Sequence, residues 1–109
     1  MQFGLSHHAI SAIQQIFSAH NKIDRALLYG SRAKGNYKKG SDIDIVLVGD
    51  SISLSELFQI ENELDDLLLP YKIDLSVFYQ IENPDLISHI QRVGVVFYQK
   101  QSAEPYNQT

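Results

Sequence analysis

The stretch Tyr29-Gly30-Ser31-Arg32-Ala33-Lys34-Gly35, followed after a short loop by Asp42-Ile43-Asp44-Ile45-Val46-Leu47-Val48, decides the fold and points to its chemistry. Ala26-Leu27-Leu28-Tyr29 reads as a buried strand that stops at Gly30. Glycine there lets the backbone turn sharply and lets a ligand come close. Ser31 opens a short helix, Ser31–Gly35, with Arg32 and Ala33 in its first turn. Free N–H groups at a helix start suit an anion, and a serine hydroxyl adds one more donor. A serine in this place serves equally well as a helix N-cap, so this half of the pattern alone leaves both readings open.

The second half narrows the choice. Asp42–Val48 is enriched in β-branched residues and closes at Gly49-Asp50, as a strand does. Residues two apart on a strand share a face, roughly 6.6 Å from each other along the chain. Asp42 and Asp44 therefore point one way, while Ile43, Ile45 and Leu47 fill the other face. Two like charges so placed repel. A bound cation turns that repulsion into coordination, and carboxylate oxygens suit Mg²⁺ or Mn²⁺. A third acid follows on a second alternating strand, Tyr71–Phe78, where Ile73, Leu75 and Val77 lie opposite Asp74. If the two strands are neighbours, Asp74 completes a three-carboxylate cluster. Such clusters hold two metal ions about 3.5–4 Å apart for in-line phosphoryl displacement. Asp74 is then also placed to take the proton of an attacking hydroxyl. Taken singly, each acid reads as well as a solvated strand residue.

Leu28-Tyr29-Gly30-Ser31-Arg32-Ala33-Lys34-Gly35 through Ser41-Asp42-Ile43-Asp44 resembles the signature of the minimal nucleotidyltransferase (MNT) family. These are the smallest members of the polymerase-β-like superfamily, and the resemblance extends over roughly residues 10 to 99. It implies an α/β (α+β) core, a small mixed β-sheet with helices packed mainly on one face. It also implies that Gly30 and Ser31 bind the triphosphate of ATP and that Arg32 faces phosphate. Asp42 and Asp44, with Asp74 as the third acid, would hold Mg²⁺, two ions being expected and Mn²⁺ a substitute. The family transfers a nucleoside monophosphate, commonly AMP from ATP, with pyrophosphate leaving. Its members are commonly paired with a small helical HEPN protein, and some act as antitoxins by adenylylating that toxin on tyrosine. The resemblance thus implies an antitoxin role and a HEPN-type partner that supplies the acceptor.

Two other readings stand beside this one. The same surface would serve a non-catalytic module that neutralises a helical partner sterically. Alternatively, a homo-oligomer would build a pocket between subunits for nucleotidylation of a small molecule.

Competing phosphate motifs fail on inspection. Gly30-x4-Gly35 has P-loop spacing, but Asn36-Tyr37 stands where Lys-Ser/Thr is required. A three-glycine dinucleotide fingerprint is absent as well.

At 109 residues, 44% hydrophobic and 20% charged, the chain is expected to form one globular domain over residues 1–100, with a polar tail from 101 to 109. The absence of cysteine excludes disulfides, thiol catalysis and Cys-ligated zinc. No apolar run approaches a membrane span, and Met1–Ala9 lacks the pattern of a leader, so a cytoplasmic protein is expected. A net charge of −4 argues against broad nucleic-acid binding. Arg32, Lys34, Lys38 and Lys39 nevertheless place four of the nine basic residues beside the Gly30-Ser31 turn, where they would neutralise a triphosphate or form a solvated loop.

The remaining elements follow from periodicity and caps. A first helix, about Ser6–Ala19, carries Ile10, Ile13 and Phe17 on one stripe, and a strand is expected at Arg25–Tyr29. Ser53-x-x-Glu56 is a capping box for a helix reaching about Leu68, with Leu57, Ile60, Leu64 and Leu67 inward. Asn83-Pro84 supplies an N-cap and an N1 proline for a helix with Leu86, Ile87, Ile90 and Val93. Val95–Tyr98 reads as a last short strand. His7, His8, His20 and His89 show no metal-ligand spacing, and Tyr29, Tyr71, Phe78 and Phe97 read as packing residues.

Overall fold

In the computed structural model, which describes residues 2–101, the elements run α1 (His7–Ser18), β1 (Arg25–Tyr29), α2 (Gly30–Lys34), β2 (Ile43–Val48), α3 (Leu54–Asp65), β3 (Ile73–Val77), a 3-10 turn (Phe78–Gln80), α4 (Pro84–Val93) and β4 (Val95–Gln99). The four strands form one mixed sheet in the order β3-β2-β1-β4. β1 is antiparallel to both β2 and β4, whereas β2 and β3 run parallel through the α3 crossover. The expected mixed sheet is present, and the expected tail lies outside the described residues apart from Gln101.

Strand alternation divides the sheet into two unlike faces. Ile43, Ile45 and Leu47 of β2, Ala26 and Leu28 of β1, and Leu75 and Val77 of β3 point into the main core. There they meet Ile10, Ile13 and Phe17 of α1 and Leu57, Ile60 and Leu64 of α3. On the opposite face, Tyr29 and Val46 pack with Ile90 of α4 in a smaller cluster. That face is only partly roofed, which leaves room for polar groups at the end where β2 and β3 begin.

Caps set the helix starts as the sequence predicts. The hydroxyls of Ser6 and Ser53 accept from the N–H groups of Ala9 and Glu56, and Asn83 accepts from Asp85 and Leu86. α3 ends at Asp65 rather than near Leu68. Leu67 and Leu68 donate three residues back, tightening the last turn, and Leu68 adopts φ +55°, which ends the helix. The capping box is only half formed, because Glu56 turns its carboxylate to His20.

His20 joins α1 to α3. When the ring is doubly protonated, Nδ1–H donates to Glu56 Oε2 at 3.2 Å and Nε2–H donates to Glu63 Oε1 at 2.8 Å. Burial works against the charged ring, but the hydrogen bonds and charges of Glu63 and Glu56 outweigh it and raise the His20 pKa above 6.5. The Glu63 carboxyl is lowered by its hydrogen bond to His20.

The two shifts bound a pH window. A raised imidazole stabilises the fold below its unfolded value and loses that contribution as pH rises through the folded value. A lowered carboxyl contributes above its unfolded value and loses it as pH falls through the folded one. The clamp is therefore strongest between the ordinary glutamate and histidine values of 4.5 and 6.5. Thermal melts should show the midpoint falling as pH rises from about 6 to about 8.5. His20→Gln should remove most of that slope, and an unchanged slope would show that the clamp does not govern it.

Candidate active site

Strand register assembles the acidic face. β1 and β2 pair Tyr29 with Asp44, and β2 and β3 pair Asp44 with Asp74. The three side chains therefore stand in one row across the sheet, on the face opposite Ile43, Ile45 and Leu47. Asp42 precedes the first ladder residue of β2 and is exposed, as is Asp74, while Asp44 is half-buried.

Asp44 senses both other acids. Burial raises its pKa, the charges of Asp74 and Asp42 raise it further, and His89 and Arg32 act in the opposite direction. Among the described residues, no lysine or arginine forms an ion pair with any of the three acids. Nor, among those residues, do three acidic or histidine side chains already close tightly enough to grip an ion. Unscreened carboxylates keep their distance. A row of oxygen donors lacking cationic partners still has the chemistry of a Mg²⁺ or Mn²⁺ site, where the ion relieves the repulsion.

Gly30 makes the close approach feasible. Its φ is +73°, and a Cβ at this position would strike the Oδ2 of Asp44. The carboxylate thus lies directly against the turn that opens α2. That helix begins at Gly30, one residue earlier than expected, and spans only five residues. So short a helix has little macrodipole, but nearly all of its N–H groups lack an intrahelical acceptor. The N-cap position is Tyr29, which makes no side-chain cap. Ser31 therefore sits inside the turn, half-exposed, and is not the N-cap that its residue type allows.

Arg32 is 3% exposed and its donors turn to backbone carbonyls of this chain. Its Nε–H and Nη2–H donate to the Ser41 carbonyl at 3.1 and 2.7 Å, and Nη1–H donates to the Phe3 carbonyl at 2.8 Å. The guanidinium also packs on the rings of Tyr37 and Tyr71, 5.2 and 5.0 Å from their centroids. A planar fork with several donors holds two carbonyls at once, which is why the group is buried here. Its effect is to fix Ser41, the residue before Asp42. Lys34, Lys38 and Lys39 are exposed.

Tyr29, read as packing, and His89, read as lacking metal-ligand spacing, both take part in this face. Tyr29 stands in the acidic row, where burial raises its phenol, the charges of Asp74 and Asp44 add to that, and the nearby Ser76 hydroxyl opposes it. Ser76 Oγ itself is buried and outside hydrogen-bond geometry with any described residue. His89 of α4 meets the Tyr29 ring edge-on, with centroids 6.1 Å apart. Its spacing carried a signal, since 86, 89, 90 and 93 form a single inward stripe on a helix. A groove between α1 and β4 is lined by none of these residues.

Known proteins are similar to this chain in sequence and in fold. Residues 11–103 match the family described as polymerase beta nucleotidyltransferase. Two proteins of Methanocaldococcus jannaschii, MJ1217 and MJ0126, each named "Putative protein adenylyltransferase", are 37% and 35% identical over 83 residues, covering 69% of this chain and 84% of each relative. A chain in the crystal structure of a toxin–antitoxin with AMP-PNP has a TM-score of 0.66 at 20% identity, covering 89% of this chain and 76% of that one. A chain in the structure of tri-AMPylated Shewanella oneidensis HEPN toxin in complex with MNT antitoxin has a TM-score of 0.65 at 16% identity, covering 88% and 74%. At these identities the structural likeness is one of fold.

Two substitutions test the geometry. Gly30→Ala should cost roughly 1–3 kcal/mol from the positive φ alone and should push Asp44 out of the row. Arg32→Ala should destabilise by about 2–4 kcal/mol, because two part-buried carbonyls lose their donors and the guanidinium packing is lost. Arg32→Lys should restore only part of that loss. Chemical denaturation reads each value, and an Arg32→Ala protein as stable as the wild type would contradict the clamp.

Proposed function

This chain belongs to the polymerase β nucleotidyltransferase family, and from that membership we propose that it transfers AMP from ATP to a hydroxyl of a partner protein. The observation that carries this reading is the Asp44 carboxylate lying against Gly30 while paired in register with Asp74. A phosphate-sized turn and a row of acids thus meet at one point of the sheet.

The parts have distinct roles. N–H groups of the Gly30-Ser31 turn and the Ser31 hydroxyl hold the β- and γ-phosphates. Asp42 and Asp44, with Asp74, hold Mg²⁺, which when bound neutralises charge on the triphosphate and the leaving pyrophosphate. Asp74, exposed at the edge strand, accepts the proton of the attacking hydroxyl. The acceptor oxygen forms a bond to the α-phosphorus, the bond from that phosphorus to the bridging oxygen breaks, and pyrophosphate departs. Exposed Lys34 attracts the nucleotide without fixing it. Arg32 acts at one remove, by holding Ser41 and so Asp42.

The partner in this proposal is a HEPN-type toxin carrying an acceptor tyrosine, and the chain is its antitoxin. Support comes from the protein adenylyltransferase names of the relatives and from structural neighbours that include an AMPylated HEPN toxin with its MNT antitoxin.

Incubation with α-³²P-labelled ATP, Mg²⁺ and the protein encoded beside this one should label that partner, and chelation should abolish the label. The double variant Asp42→Ala with Asp44→Ala should reduce transfer on the order of a thousandfold or more while leaving the complex intact. Unlabelled partner that the double variant still neutralises would replace catalysis with steric binding.

A further inference from the structure

His89 contrasts with His20. Both ring nitrogens of His20 are held by glutamates, whereas the His89 ring makes no hydrogen bond with any described residue. Its imidazole is half-buried on α4, which packs against both β1 and α2. The edge-on contact with Tyr29 fixes the ring beside the residue that immediately precedes Gly30 and is register-paired with Asp44. Arg32, the basic residue next to Ser31, has its donors engaged by the Phe3 and Ser41 carbonyls.

We propose that His89 is a nucleotide-binding residue that donates a ring N–H to the β- or γ-phosphate of a triphosphate held at Gly30-Ser31. The inference rests on the nucleotidyl-transfer reading for the presence of that triphosphate. α4 flanks the α2 turn, so His89 approaches the phosphates from the helical roof while the acids line the sheet below. During transfer, the bond between the α-phosphorus and its bridging oxygen breaks and negative charge gathers on the departing pyrophosphate. A pre-positioned donor on that group stabilises it most when the charge is greatest. The residue type and its place account for one another: an imidazole is short enough to stand on the inward stripe of α4 and still offers a donor.

Calorimetric titration of the full chain with Mg²⁺ and AMP-PNP, and separately with AMP, tests this directly. His89→Ala should weaken AMP-PNP binding about tenfold, the effect of losing one hydrogen bond to a charged group, and leave AMP binding unchanged. His89→Phe keeps an aromatic edge against Tyr29 but has no N–H, so it should lose as much as alanine. His89→Gln, which restores a donor, should recover most of the affinity. AMP-PNP affinities of the Ala and Phe variants equal to wild type would overturn the assignment, as would an equal loss for AMP. If the wild type labels no acceptor yet these affinities behave as stated, the transfer reading fails and the phosphate contact survives. If labelling is normal and AMP-PNP binding is indifferent to His89, the contact fails and the transfer reading survives.

Discussion

The close approach of the Asp44 carboxylate to Gly30, near enough that a Cβ there would strike it, is the constraint on which the site depends. It exists because β1 and β2 are antiparallel with Tyr29 opposite Asp44, so the residue after Tyr29 must turn away beneath the acid. Only a residue without a Cβ fits there, and the positive φ at Gly30 sends the chain straight into α2. Ser31 follows in the first turn of α2. One strand register thereby brings the Gly30 turn and the acidic row together at one end of the sheet.

Holding three acids together works against stability, and the fold offsets this locally. The sheet face behind them is wholly apolar, with Ile43, Ile45 and Leu47 fully buried, so β2 cannot slip by one residue without exposing that row. Ahead of β2, the buried Arg32 guanidinium ties the loop carrying Ser41 and Asp42 to the amino-terminal segment at Phe3. Far from the acids, His20 links α1 to α3 across the main core. Two buried side chains, Arg32 and His20, thus brace the structure, and the acidic row is free of ion pairs among the described residues.

Much of this was legible in the chain. The alternation of Ile43, Ile45 and Leu47 against Asp44, and the caps at Ser6, Ser53 and Asn83, are local patterns, and local physics decides them. The bounds of β1 agree with the sequence for that reason. What depends on distant partners was harder to read. The adjacency of Asp44 and Asp74 requires a parallel register set through α3, and the sequence offers it only as a condition. Arg32 looked like a phosphate ligand because it neighbours Ser31, yet its side chain finds carbonyls and aromatic rings from Phe3, Tyr37, Ser41 and Tyr71. Glu56 likewise leaves its expected cap for His20, thirty-six residues away in the chain. His89 was passed over because a lone histidine has no spacing pattern, although its place on the inward stripe of α4 marked it.

A crystal of this protein grown with Mn²⁺ and AMP-PNP tests the central claim most directly, through the anomalous signal of manganese. The account requires a peak bridging Asp42 and Asp44, with phosphate oxygens on the Ser31 hydroxyl and the adjoining N–H groups. Manganese bound away from these acids, or a triphosphate seated anywhere other than the Gly30-Ser31 turn, would contradict it.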